Sequence, residues 1–143
     1  MNVAHIDKAQ AQADAMLGPH MEGETRTQRL FNATEGNGQD ILVVYFNAGG
    51  RTRPHTHKQG QILHILEGRG IVAFDNERRQ VTAGDVVVIP PGVWHWHGAN
   101  PDTAMSHLAL QGPASSGDLN WDVDERDWAS GYTVETHDDT MRL

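Results

Sequence analysis

From about residue 25 onward, short apolar runs recur along the chain. They read DILVVYFNAGG, QILHILEG, GIVAFDN, RQVTAGDVVVIPPG, VWHWHGAN and AMSHLALQG. Each is rich in Val, Ile, Leu or aromatic residues, and Gly, Asn, Asp or Pro separates one from the next. Short strands at close spacing with turn signals between them predict an all-β sandwich or barrel. EGRG and FDNERR predict tight turns, and PPG predicts a fixed turn before the next strand. Residues 1 to 20 are polar and Ala/Gln-rich and predict one short helix, ended by GPH. The stretch PASSGDLNWDVDERDWASG opens a C-terminal tail that Trp121 and Trp128 are expected to dock on the barrel, with a mobile end. The chain thus divides into an arm (1–24), a barrel (25–112) and a tail (113–143) packed on it.

Alternation along the predicted strands sorts the side chains. Residues two apart in a strand share a face, so His55 and His57 point the same way, about 7 Å apart. Gln61 keeps their parity if the strand runs on through KQG; a turn there would equally swing it back toward them. His95 and His97 share a face, with Trp94 and Trp96 on the other, packed between sheets or subunits. His107, Ala109 and Gln111 alternate likewise, as do Leu42, Val44 and Phe46, which form an apolar wall. A small barrel has one interior, filled by side chains or one small ligand, so histidines on several inward faces meet inside it. The pair His55/His57 alone fits a metal site and hydrogen-bonded core histidines equally well. His64 has the opposite parity to Gln61 and faces outward or toward a partner. His5, His20 and His137 lie in polar flanks and read as solvated. Arg51 and Arg53 precede the histidine pair, with Pro54 extending Arg53. They read as surface charges or as guides for an anion at the barrel mouth.

The whole chain has 143 residues, enough for one domain with a full core. Its formal charge of −8 argues against nucleic acid, which wants a basic face. With no cysteine, disulfides, thiolate ligands and a cysteine nucleophile are excluded. No run approaches a membrane span, and MNVAHIDKAQAQADAM lacks the basic and apolar regions of a signal peptide. A cytoplasmic protein is the expectation.

Two spaced motifs change the picture. Gly49, five residues, His55-Thr-His57, three residues, Gln61, six residues and Gly68 form the first. Gly84, five residues, Pro90-Pro91-Gly92, two residues, His95, three residues and Ala99 form the second. Together they resemble the two motifs of the cupin superfamily, over roughly residues 40 to 111. Gln61 stands where Glu is usual, and Asn100 falls one place late. The resemblance implies a jelly-roll barrel of six or more strands, with one divalent metal held by His55, His57, Gln61 and His95.

Gln61 is chemically informative. A neutral carbonyl oxygen leaves a divalent ion its full charge, which weakens the hold on the ion but makes it a stronger Lewis acid. Loss of the carboxylate favours redox-neutral chemistry. Three imidazoles and one oxygen suit Mn, Fe, Co, Ni or Zn. More narrowly, HTHKQGQ, IPPGVWHWHGANPDTAMSHLALQ and LNWDV resemble small bacterial cupins that include manganese-dependent hydroxynitrile lyases and carboxymuconolactone decarboxylase-associated cupins. That likeness implies manganese, His107 as base, Gln111 lining the pocket and His97 as a further pocket histidine. A histidine beside a divalent ion is kept neutral by like-charge repulsion and so can serve as a base. The expected function is a redox-neutral lyase that cleaves or forms cyanohydrins. A metal-dependent dioxygenase and a non-catalytic small-molecule binding cupin are the alternatives. A homodimer is expected, because outward Trp94, Trp96, Ile62 and His64 would otherwise leave an apolar patch.

Overall fold

The alternating runs become strands because each offers one apolar face to a shared interior. The computed structural model describes residues 1–133. Its strands are β1 (Met21–Glu22), β2 (Thr25–Phe31), β3 (Asp40–Phe46), β4 (Arg51–Thr52), β5 (Thr56–His57), β6 (Gln61–Phe74), β7 (Glu77–Thr82), β8 (Val86–Ile89), β9 (Trp96–Ala99), β10 (Met105–Gln111) and β11 (Leu119–Asn120). All pairing is antiparallel, in the order β1-β4-β9-β6-β10-β3-β2, with β7 and β8 also on β6 and a separate ribbon of β11 and β5. The result is an all-β jelly-roll. Leu42, Val44, Phe46, Leu63, Ile65, Val72, Ile89, Met105 and Ala109 fill its interior.

β6 organises the barrel and corrects one expectation. EGRG is not a turn; β6 runs through it for 14 residues. Its first part pairs with β8 and β10, and its second with β7 and β9. The strand crosses between the two halves at Gly68, where φ is +78° and a Cβ would collide with the Ala104 carbonyl. Only glycine meets both demands at low cost. The expected turns at FDNERR and PPG do separate β6 from β7 and β8 from β9.

The predicted helix in residues 1–20 is also corrected. This segment makes two 3₁₀ turns, Lys8–Gln10 and Gly18–His20. Between them Gln12 exchanges both backbone hydrogen bonds with Thr27 (3.1 and 2.8 Å), so the sheet edge captures the backbone as extended chain. Ala11 is buried there against Val43 and Tyr45, the outward residues of β3.

The C-terminal segment covers the other side of the barrel. Trp128 is buried with Trp94, Trp96, Ile71 and Ala73. Its Nε1–H donates to the Thr52 carbonyl (2.9 Å), and Trp94 Nε1–H donates to Asp124 (2.7 Å). Trp94 and Trp96 therefore face away from the histidines, as expected, but their own chain covers them, and they form no free patch. Arg51 is corrected too: it is buried, 3.8 Å over the Trp128 ring and 4.9 Å over Trp96, and ion-paired with Glu22. It is neither a mouth residue nor a plain surface charge. Arg53 stays exposed, 4.4 Å over Trp128. Among the described residues no helix is long and apolar enough to cross a membrane.

Candidate metal centre and pocket

The site is assembled by three local devices. His55 and His95 exchange backbone hydrogen bonds (3.0 and 3.1 Å), which brings their rings to 4.3 Å between centres. His57 lies in β5, where pairing with β11 fixes it opposite Leu119. Gly60, at φ +79°, turns the chain so that Gln61 opens β6 facing inward, opposite Gln111 of β10. A turn, not a continued strand, thus aims Gln61. His97 in β9 and His107 in β10 face the same interior from two strands.

All seven predicted site residues, His55, His57, Gln61, His95, His97, His107 and Gln111, are buried and close together. His55, His95 and His97 each offer a ring nitrogen within 4.8 Å of the other two. His57 stands beside that group, its ring centre 5.1 Å from His55 and 5.6 Å from His95. His107 Nε2 lies 3.1 Å from His97 Nδ1. Phe46 packs against both rings.

Three of the histidines have one nitrogen already committed. Nδ1 of His55 lies 2.8 Å from the Arg53 carbonyl, Nδ1 of His95 lies 2.9 Å from the Val93 carbonyl, and Nδ1 of His57 lies 2.7 Å from Asp118 Oδ2. Each partner only accepts, so each Nδ1 carries the hydrogen and each Nε2 keeps its lone pair. The Gln61 amide donates its N–H to Gln111 Oε1 (2.8 Å), which turns Gln61 Oε1 toward His95 Nε2 at 3.1 Å. In this orientation Gln61 Oε1 and His95 Nε2 are two lone-pair donors side by side, which suits a shared cation. His57 Nε2 and His97 Nε2 are buried with no hydrogen-bond partner among the described residues. Imidazole nitrogens with fixed outer hydrogen bonds, converging with an amide oxygen, fit a divalent metal ion.

A proton is a poor substitute for that cation. Burial holds His95 and His107 down to about 4, and His55 and His97 well below the usual histidine range, with neighbouring rings adding to the effect at His55 and His97. Burial also lowers His57, with Asp118 pulling the other way. The rings are neutral at neutral pH.

Around them lies a small cavity of about 30 Å³, lined by Leu17, Met21, Leu42, Val44 and Trp121 on the apolar side. Trp121 packs on His55 (4.6 Å) and stacks on His20 (4.3 Å), so His20 is not the solvated residue expected of it. His5 is exposed and His64 half-buried, as their positions predict, and His137 lies outside the described residues. Two polar residues of the site, Thr52 and Asp118, carry no signal in the sequence, nor do the apolar lining residues Leu17 and Met21. Thr52 lines the cavity and accepts from the His97 backbone N–H (3.3 Å). Asp118 holds His57 from 61 residues away. LNWDV marks the neighbourhood of Asp118, but no spacing rule links it to His57.

Residues 42–110 match the Cupin domain family. Over 100 residues the chain is 38% identical to a Granulicella tundricola protein named (R)-mandelonitrile lyase, covering 69% of this chain and 76% of that protein. A dimethylsulfoniopropionate lyase from Ruegeria pomeroyi is 34% identical over 82 residues, 56% of this chain and 54% of that protein. A solved cupin-like protein from Thermotoga maritima matches 92% of each chain with a TM-score of 0.72 and 27% identity. With both motifs on one jelly-roll and these relatives, the chain belongs to the cupin superfamily.

Proposed function

We propose that this chain is a metal-dependent lyase acting on small hydroxynitriles. It releases an aldehyde and hydrogen cyanide, with His55, His57, Gln61 and His95 as ligands and manganese as the first metal to test. The observation that carries the metal reading is the convergence of ring nitrogens of His55, His95 and His97 within 4.8 Å of one another, with the His57 ring and Gln61 Oε1 beside them. The lyase reading rests on two relatives named as lyases and on a ligand set without a carboxylate.

A divalent ion in this position supplies positive charge beside a substrate hydroxyl and makes its proton easier to remove. His97 and His107 take that proton. In the tautomer this step requires, His97 Nδ1–H donates to His107 Nε2 (3.1 Å) and the buried His97 Nε2 presents a free lone pair. It accepts the hydroxyl proton while its Nδ1 proton passes to His107 Nε2. His107 is therefore the final holder of the charge, reached through His97. The C=O bond forms as the C–CN bond breaks, cyanide leaves with the bonding pair, and the proton returns to it. Because both rings are neutral at neutral pH, the pair starts ready to accept. Gln111 spends its Oε1 on Gln61, which leaves its amide N–H groups to hold a nitrile or hydroxyl. The apolar lining of Leu42, Val44 and Trp121 beside the histidines suits a small, largely apolar substrate.

The test uses chelator-treated protein reloaded with Mn or Fe and offered mandelonitrile and aliphatic hydroxynitriles, with aldehyde and cyanide both measured. Release should require metal, and His107→Ala should keep the metal but react about 10²- to 10⁴-fold more slowly. No cyanide from any hydroxynitrile would overturn the substrate assignment.

A further inference from the structure

We infer that Asp118 is a positioning residue for the metal centre, supplying from behind His57 the negative charge that Gln61 does not. The inference rests on the metal reading given under Proposed function. Asp118 is 2% exposed, and its only ion-pair partner among the described residues is His57. Burying a carboxylate with no lysine or arginine beside it is costly. The fold nevertheless builds a place for it. Oδ2 lies 2.7 Å from His57 Nδ1, Oδ1 accepts the Gln59 backbone N–H (2.8 Å), and the Asp118 carbonyl accepts that of Lys58 (2.8 Å). Gly112 leaves room for the carboxylate, since a Cβ there would collide with Asp118 Oδ1.

Two consequences follow for the centre. The carboxylate accepts only, so it forces the His57 hydrogen onto Nδ1 and leaves Nε2 bare. That Nε2 is one of the buried nitrogens with no hydrogen-bond partner among the described residues. A hydrogen bond to a carboxylate also makes the ring a stronger donor to a metal. His55 and His95 have only neutral carbonyls at the same position. The charge that most cupins of this pattern would place on a ligand glutamate is here moved one hydrogen bond outward. A divalent ion held there would be attracted by that charge, while the side chains touching it stay neutral.

The test is the affinity for Mn²⁺, measured by chelator competition and by the Mn²⁺ paramagnetic resonance signal. Asp118→Asn keeps the shape and an acceptor but removes the charge, and it should weaken binding by about 10- to 100-fold. Asp118→Ala should bind more weakly still. Added formate should then recover at least about tenfold of the loss, an expectation scaled to the same outer-partner effect. Formamide should not, and wild type should respond to neither. An affinity for Asp118→Asn within about threefold of wild type, well below that 10- to 100-fold effect, overturns the inference. So does rescue by formamide equal to that by formate. Failure of wild type to bind Mn²⁺ overturns the metal reading itself and is recognisable before any variant is made.

Discussion

His95 shows how one ring constrains the chemistry. Its Nδ1 is tied to a carbonyl, its Nε2 faces an amide oxygen, and burial keeps it neutral down to about 4. The same burial sets a pH dependence. Above 6.5, the ordinary histidine value, His95 and His107 are neutral both folded and unfolded and contribute nothing. Below it, the unfolded chain takes up protons that the fold refuses. Stability of the metal-free protein should therefore fall between about pH 6.5 and 4 and then level off with respect to these rings. The loss is on the order of 3 kcal/mol for each. Urea unfolding of chelator-treated protein across that range checks this, and His107→Gln should flatten the slope by its share. Stability that holds or rises on acidification would contradict the burial argument. The faces of His55, His57, His95, His97 and His107 could be read from the sequence because strand alternation fixes them. Gln61 could not be placed that way, since the turn at Gly60 breaks the alternation just before it. Asp118 was beyond reach because its partner is distant in sequence.

At the level of elements, the apolar runs gave correct strands, and the errors came from glycine and from edges. Glycine at positive φ serves turns and bends alike, so EGRG looked like a turn although it bends β6 at Gly68. Gly84 does mark a turn: RQVTAGDVVVIPPG is split there into β7 and β8. Residues 1–20 have helical composition, but the edge of β2 offers backbone partners that local propensity does not register. The sequence TRTQRLF of β2 has too few apolar positions to announce a strand; β3 recruits it along its whole length. Trp128 was expected to dock the tail and does. Its depth depends on Arg51, whose guanidinium lies between two indoles and donates to the Trp128 carbonyl (2.6 Å).

At the scale of the molecule, an apolar face is left uncovered among the described residues. Ile62 lies opposite Val88 and Leu110, and His64 opposite Val86 and Leu108. Val86 and Val88 are 63% and 68% exposed, and among the described residues β8 pairs with β6 alone. Ile62, Val86, Val88, Leu108 and Leu110 carry no ionisable group. A second copy of a chain with formal charge −8 would meet least repulsion there. We expect a homodimer in solution, joined on this strip without the tryptophans. Light scattering at micromolar concentration should give twice the chain mass, and Val86→Lys with Val88→Lys should halve it. A monomeric wild type would contradict this.

The central claim is that four side chains hold one divalent ion, with His97 outside the ligand set and free to move a proton. A crystal of the Mn²⁺-loaded protein, measured for anomalous scattering at the manganese edge, tests it most directly. A single peak is expected in each chain, in coordination contact with Nε2 of His55, His57 and His95 and with Oε1 of Gln61. His97 Nδ1 is expected to stay hydrogen-bonded to His107. A peak held by His55, His95 and His97, with His57 and Gln61 turned away, or no peak in the barrel at all, would contradict it.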